Sequence, residues 1–183
     1  MKISSIFYFP VLLASLASAQ VITYRPSSDA DSRLPFCGAG TYQASGQPQD
    51  SAYDTLGSDT SATFALDQSG AASGLWQQRI VTGFPPTSGT HQSVVLVVDS
   101  SASGYEDSQS SFSSKLAYST DGGSTYKTLH STGFGWFRTV DQITLAPDLD
   151  ISNIRILMCD RAIGHGASGV EIDVADIRVD ITN

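Results

Sequence analysis

Carboxylates are the ionisable groups this chain has in quantity, 18 Asp and Glu against 10 Lys and Arg for a formal net charge of −8. Two acids facing each other across a glycosidic bond, about 5 to 9 Å apart, suffice for hydrolytic sugar chemistry. Asp99, Glu106 and Asp107 flank one polar stretch, and Asp141, Asp148 and Asp150 flank another. A small glycoside hydrolase or polysaccharide lyase is therefore one reading of these positions; solvated loop carboxylates are the other. The histidines His91, His130 and His165 stand apart from one another without HExxH or HxH spacing, so the sequence has no zinc signature. His165 lies in GHGASG, but Val170 stands where a nucleophile elbow around Ser168 needs its final glycine.

A second chemistry needs no reacting group. Proteins hold sugars by stacking an exposed aromatic ring on a pyranose face and framing it with a few polar side chains. Trp136 follows the turn-like STGFG and Tyr105 sits in a Ser-rich polar stretch, with Arg138 and Asp107 as their nearest polar companions. Trp136 reads as well as a packing residue as it does a stacking platform. Trp76, between Leu75 and Ile80, reads as core.

The elements that carry these residues follow a strand pattern. Short runs rich in Val, Ile, Thr and aromatics recur between Gly, Ser, Asp and Pro clusters, and no stretch after the N-terminal segment has helical periodicity. The pattern predicts strands at Val21 to Tyr24, Ala62 to Leu66, Leu75 to Val81, Ser93 to Val98, Phe112 to Tyr118, Thr125 to Leu129, Trp136 to Leu145, Asn153 to Cys159 and Gly169 to Ile181. Eight or nine strands suit a two-sheet jelly-roll β-sandwich. Arg25 to Gly57 and Asp99 to Ser111 read as loops. In the last strand Val170, Ile172 and Val174 are apolar at even positions and Ile177, Val179 and Ile181 at odd ones. A strand changes face only through an extra residue, which predicts a bulge at Ala175 and Asp176.

Lys2, the apolar stretch Ile6 to Leu16 and the A-x-A site at Ala17 to Ala19 read as a secretory signal peptide over residues 1–19, leaving 20–183 as one sandwich domain. Secretion into an oxidising compartment predicts that the two cysteines, Cys37 and Cys159, pair. No N-x-[ST] sequon begins at Asn153 or Asn183. The acidic balance and scattered basic residues argue against nucleic-acid or anionic-membrane partners. Gln20, the expected mature terminus, also lacks the histidine that copper-dependent polysaccharide monooxygenases use as a ligand.

Ser119 to Tyr126, STDGGSTY, fits the pattern S-x-D-x-G-x-T-[aromatic]. Ser119 and Asp121 can accept hydrogen bonds from turn amides, Gly122 and Gly123 can supply positive φ, and Thr125 and Tyr126 complete the turn. The stretch resembles the Asp-box, or BNR, hairpin of sialidases and related propellers. Propellers repeat blades of roughly 40 to 50 residues at least four times, and this chain carries one copy. Asp-boxes also occur inserted in single sandwiches, and KLAYSTDGGSTY with NIRILMCD and the closing GVEIDVADIRVDI resembles the jelly-roll halves of reelin repeats and carbohydrate-binding modules over about Ser93 to Ile181. The overall composition resembles small secreted fungal proteins.

That resemblance implies a secreted, non-catalytic module for a cell-wall or extracellular polysaccharide, using Trp136, Tyr105, Arg138 and Asp107, with the Asp-box as scaffold. It also implies calcium near the terminal strand, at Asp176 with Asp173 or Glu171. A secreted protein-interaction or effector module is the remaining alternative.

Overall fold

The computed structural model describes residues 19–31, 37, 76–103, 110–132, 137–164 and 171–183. Nine strands build it: β1 (Val21–Tyr24), β2 (Ser28–Asp31), β3 (Trp76–Thr82), β4 (Ser93–Ser103), β5 (Ser110–Ser119), β6 (Lys127–Thr132), β7 (Phe137–Thr144), β8 (Arg155–Gly164) and β9 (Glu171–Thr182). They form two antiparallel sheets, one ordered β1-β9-β4-β7 and the other β2-β3-β8-β5-β6. With β2 set aside, this interleaving is that of a jelly roll: from β3 on each strand crosses to the other sheet except β6, which forms a hairpin with β5, and the last strand closes between β1 and β4. β2 continues β1 after the chain crosses at Arg25 to Ser27, and pairs with β3 from Ser28 opposite Thr82 to Asp31 opposite Arg79.

The core forms because the inward positions of the facing strands are apolar. Val94, Leu96 and Val98 of β4 and Ile177, Val179 and Ile181 of β9 meet Val81, Leu116, Tyr118, Ile156 and Met158 of the other sheet. A second, smaller apolar cluster lies on the outer face of the five-stranded sheet, where Trp76, Ala117, Leu157 and Cys159 pack with Cys37, Ile80 and Tyr126. Cys37 and Cys159 are disulfide-bonded, with Cα atoms 5.8 Å apart. The bridge pins Cys37 onto that outer face. Trp76 is a packing residue, and the guanidinium of Arg161, its cross-strand partner, lies 5.7 Å from its ring centroid.

The face change in β9 is taken up at the expected place. Asp99 pairs with Asp176 and Ser100 with Val174, leaving Ala175 unpaired, so Val174 and Ile177 both fall in inward register. Two expectations need correction. β4 runs on to Ser103 and β5 begins at Ser110, so Asp99 and Ser111 lie in strands rather than in a loop. Ser28 to Asp31, in the stretch expected to be loop throughout, is an edge strand; its polar side-chain types suit an edge, where apolar alternation would invite pairing with another chain. The expected strand at Ala62 to Leu66 lies outside the described residues.

Candidate functional site

The sandwich has two dissimilar ends. At one, β4 ends at Ser103 opposite Glu171, β7 begins at Phe137 opposite Ala102, and β8 ends at Gly164 opposite Ser110. This end is the rim from which the β4–β5, β6–β7 and β8–β9 connections leave. Tyr105 and Asp107 belong to the first connection and Trp136 to the second; all three lie outside the described residues. Arg138 is the second residue of β7, exposed and opposite Ser101. Asp173 and Glu171 occupy β9 positions opposite Ser101 and Ser103, and their side chains lie outside the description.

Toward this rim the interior turns from apolar to polar. Leu116, Met158 and Arg79 share one register level of the five-stranded sheet, and the next level toward the rim begins with Ser114. Arg79 points inward, and burial pushes its guanidinium down to about 10, still charged at neutral pH. Ser114 and, on the facing sheet, Ser100 are buried with hydroxyls that have no hydrogen-bond partner among the described residues. At the open side of the sandwich His130 Nε2 lies 2.9 Å from Asp141 Oδ2, joining β6 of one sheet to β7 of the other. A bulge helps to aim His130. Leu116 pairs with His130 and Ala117 with Thr128, so Leu129 is the extra residue.

Asp99 and Asp141 do not face one another as a hydrolytic pair; the carboxylate directly across from Asp99 is Asp176, on the outer face of the four-stranded sheet and bonded to Arg25 and Arg178. Asp99 is paired with Val140 and Val98 with Asp141, so by strand alternation Asp99 and Asp141 point to opposite faces of the same sheet. Asp150 caps a one-turn 3-10 helix at Ile151–Asn153, accepting from the amides of Ser152 at 3.1 Å and Thr87 at 3.0 Å, and these bonds hold its carboxyl below the usual range. Asp148 is exposed in the turn before it. Glu106 and Asp107 lie outside the described residues.

Asp176, the expected centre of a calcium site, sits on the outer face of the four-stranded sheet between two arginines. Arg25 bonds one of its oxygens and Arg178 the other, while Arg178 Nε also reaches Asp180 Oδ2 at 3.1 Å. Thr23 donates to Asp180 Oδ1 at 2.6 Å. A calcium ion bound through Asp176 would have to displace a guanidinium. Among the described residues no three His, Cys, Asp or Glu side chains come together as a metal-ligand set.

The opposite end is closed by the Ser119–Tyr126 turn. Ser119 Oγ accepts from the amides of Gly123 at 2.9 Å and Asp121 at 3.2 Å, and donates to Asp121 Oδ1 at 2.6 Å. Asp121 in turn accepts from the Thr125 amide at 2.9 Å and the Thr125 hydroxyl at 2.6 Å. Led by the bond from Ser119, these donors hold the Asp121 carboxyl far below its ordinary value. Gly122 and Gly123 have φ of 74° and 95°, a region costly for other residues. The Gly122 amide also donates to Asn153 O at 3.0 Å, tying the turn to the 3-10 helix. Tyr126 packs against the outer apolar cluster.

Among the described residues no helix is long and apolar enough to cross a membrane. The sequence motifs gave no signal for His130 with Asp141, nor for Lys127, whose ammonium lies 5.9 Å from the centroid of the Tyr118 ring beside the turn. Each pairing depends on strand register, although the bulge at His130 and the short hairpin between Tyr118 and Lys127 are local in sequence. No protein-family model matches this chain, and no curated protein matches it.

Proposed function

We propose that this chain is a secreted, non-catalytic glycan-binding module whose principal site lies at the connection-bearing rim, with Trp136 as stacking ring, Tyr105 as a second ring, and Arg138 and Asp107 as polar companions. The observation that carries the reading is the pairing of β4 with β7 as far as Ala102 opposite Phe137. The connections bearing Tyr105, Asp107 and Trp136 therefore spring from neighbouring strand ends, and Arg138 stands exposed beside them. The disulfide suits an oxidising compartment, and with the A-x-A pattern it supports secretion. The Ser119–Tyr126 turn is in this reading an Asp-box scaffold, remote from the ligand. Calcium enters only through Asp173 and Glu171, since Asp176 is committed to Arg25 and Arg178.

Affinity electrophoresis on soluble glucans, xylans and mannans, with a melting curve, tests the site. Trp136→Ala is expected to abolish retardation while leaving stability within about 0.5 kcal/mol. A loss of roughly 3 to 5 kcal/mol would mark Trp136 as a packing residue and remove it from the site. Release of reducing ends or unsaturated products from these polymers would replace a binding module with an enzyme.

A further inference from the structure

At the turn end, between the outermost strands of the two sheets, there is a cavity of about 180 Å³ lined by Tyr118, Thr120, Lys127, Thr144, Leu145, Ala146 and Leu149. Its chemistry is selective. In a chain with a net charge of −8, Lys127 supplies, among the described residues, the only ionisable lining group other than the Tyr118 phenol, and no described carboxylate lines the space. The ammonium is held over the Tyr118 ring within cation–π range, so a cationic donor and an aromatic face stand together. Thr120 and Thr144 line the space from the two opposed strand ends, and Leu145, Ala146 and Leu149 supply an apolar wall.

Both walls are fixed without a ligand. The turn is tied to the 3-10 helix by Gly122 and Asn153, and Thr87 holds the other wall by donating to Leu149 O at 3.3 Å and accepting from the Ile151 amide at 3.1 Å. Of the carboxylates adjoining the lining residues in sequence, Asp121 is engaged inside the turn and Asp150 at the cap, while Asp148 is exposed in the turn after Ala146. A preformed recess loses little entropy on binding. Its volume of about 180 Å³ has room for one six-membered ring with its substituents.

We propose that this cavity binds a single carboxylate-bearing pyranose ring, a terminal uronic acid of an acidic glycan, with the carboxylate on Lys127, a ring hydroxyl on Thr120, and the apolar ring face against Leu145 and Leu149. The proposal rests on the glycan-binding reading but uses a site at the opposite end of the sandwich from Trp136. A charge-assisted bond to a carboxylate is worth enough to change affinity about tenfold or more.

The test is a backbone amide NMR titration of the whole chain with glucuronate and galacturonate, and with glucose, galactose and acetate as controls. The uronates are expected to shift Thr120, Lys127, Thr144 and Leu145 while the neutral sugars and acetate leave them in place. Lys127→Met, which keeps the packed stem of this exposed side chain, is expected to weaken uronate binding at least about tenfold, Lys127→Arg to restore most of it, and Trp136→Ala to leave it unchanged. Equal shifts with acetate would make this a simple anion site and overturn the proposal. So would uronate affinity that survives Lys127→Met, or uronate shifts confined to Arg138 and the rim, an outcome that leaves the glycan reading standing. Neutral glycans bound in a Trp136-dependent way with no response to uronates would likewise sink this site alone. No binding of any sugar would remove both readings, whereas uronate binding at Lys127 with a silent rim would keep this one and discard the other.

Discussion

At the turn end of the sandwich the short loop is held by bonds close at hand: Ser119 takes two amides, Asp121 takes an amide and a hydroxyl, and the Gly122 amide reaches the neighbouring 3-10 helix. Toward the rim, the buried hydroxyls of Ser100 and Ser114 have no partner among the described residues, and a charged guanidinium, Arg79, lies inside the sandwich. The same two sheets frame both ends. Side chains one or two positions apart along the chain can satisfy a turn by themselves, so the turn end is rigid by local bonding. An interior lined by polar groups from facing sheets gains no such local closure, and buried polar groups held without partners are more usual at binding sites than in purely structural cores. The difference is one of local closure: the turn is held by bonds between near neighbours in sequence, and the interior toward the rim is not.

The largest effect expected is at the disulfide. It joins residues 122 apart and holds Cys37 against the outer face of the five-stranded sheet. Replacing both cysteines by Ala is expected to cost about 2 to 5 kcal/mol in denaturant unfolding, by releasing a long loop in the unfolded chain. Hydrogen exchange on the double variant sharpens the comparison. Protection is expected to fall around Trp76, Gln78 and Leu157, while Gly123 and Thr125 keep theirs; equal loss at the turn would mean that the turn's rigidity is borrowed from the bridge rather than local.

Ser119→Ala comes next, at about 1 to 2 kcal/mol, because the amides of Asp121 and Gly123 lose their acceptor and Asp121 loses a donor. Acid probes the same network without a mutation. The Asp121 carboxyl is depressed in the folded chain, so its contribution is present above the unfolded value of about 4 and is lost as pH falls below it. Asp150, lowered by the amides of Thr87 and Ser152, acts in the same direction. Protection of the Gly123 and Thr125 amides, taken relative to their intrinsic exchange rates at each pH, is expected to fall on acidification below about pH 4 before that of Leu96 or Ile177. A uniform fall in protection across the core would show that the turn is not the acid-sensitive element.

How far these features could be read in the sequence depends on whether they are local. The alternating runs gave the strands and the two-sheet architecture, and the change of apolar phase across Val174 and Ile177 located the unpaired Ala175, since phase is a property of consecutive residues. Two cysteines allow one pairing. The SDAD edge strand escaped notice because its ladder to β3 is made by backbone groups and its side-chain types carry no apolar alternation. Asp176 looked available for a metal because Arg25 is 151 residues away and meets it only after β1 closes beside β9. His130 and Asp141 are 11 residues apart, yet they join different sheets, a relation that only the fold supplies. The cavity beside Lys127 is likewise assembled from β5, β6 and the end of β7 with its following turn.

The smallest effect is expected at the rim, and its smallness is the informative part. Ser100 and Ser114 lie in inward positions of the facing sheets, one level beyond Val98 and Leu116, and among the described residues neither hydroxyl has a partner to lose. If these groups served stability alone, Ser→Ala at each would remove an unsatisfied buried hydroxyl, and the change should be neutral or stabilising by up to about 1 kcal/mol. The turn gives the opposite sign for the same substitution, since Ser119 has three bonds to lose. Chemical denaturation of Ser100→Ala, Ser114→Ala and Ser119→Ala under one condition therefore reads the two ends directly. A rim variant as destabilised as Ser119→Ala would show that its hydroxyl carries bonds comparable to those of the turn and would erase the contrast between the ends. A stabilised rim variant that binds glycans less tightly would instead show a stability cost retained for function, because a hydroxyl unpaired in the free protein is then being used only when ligand is present.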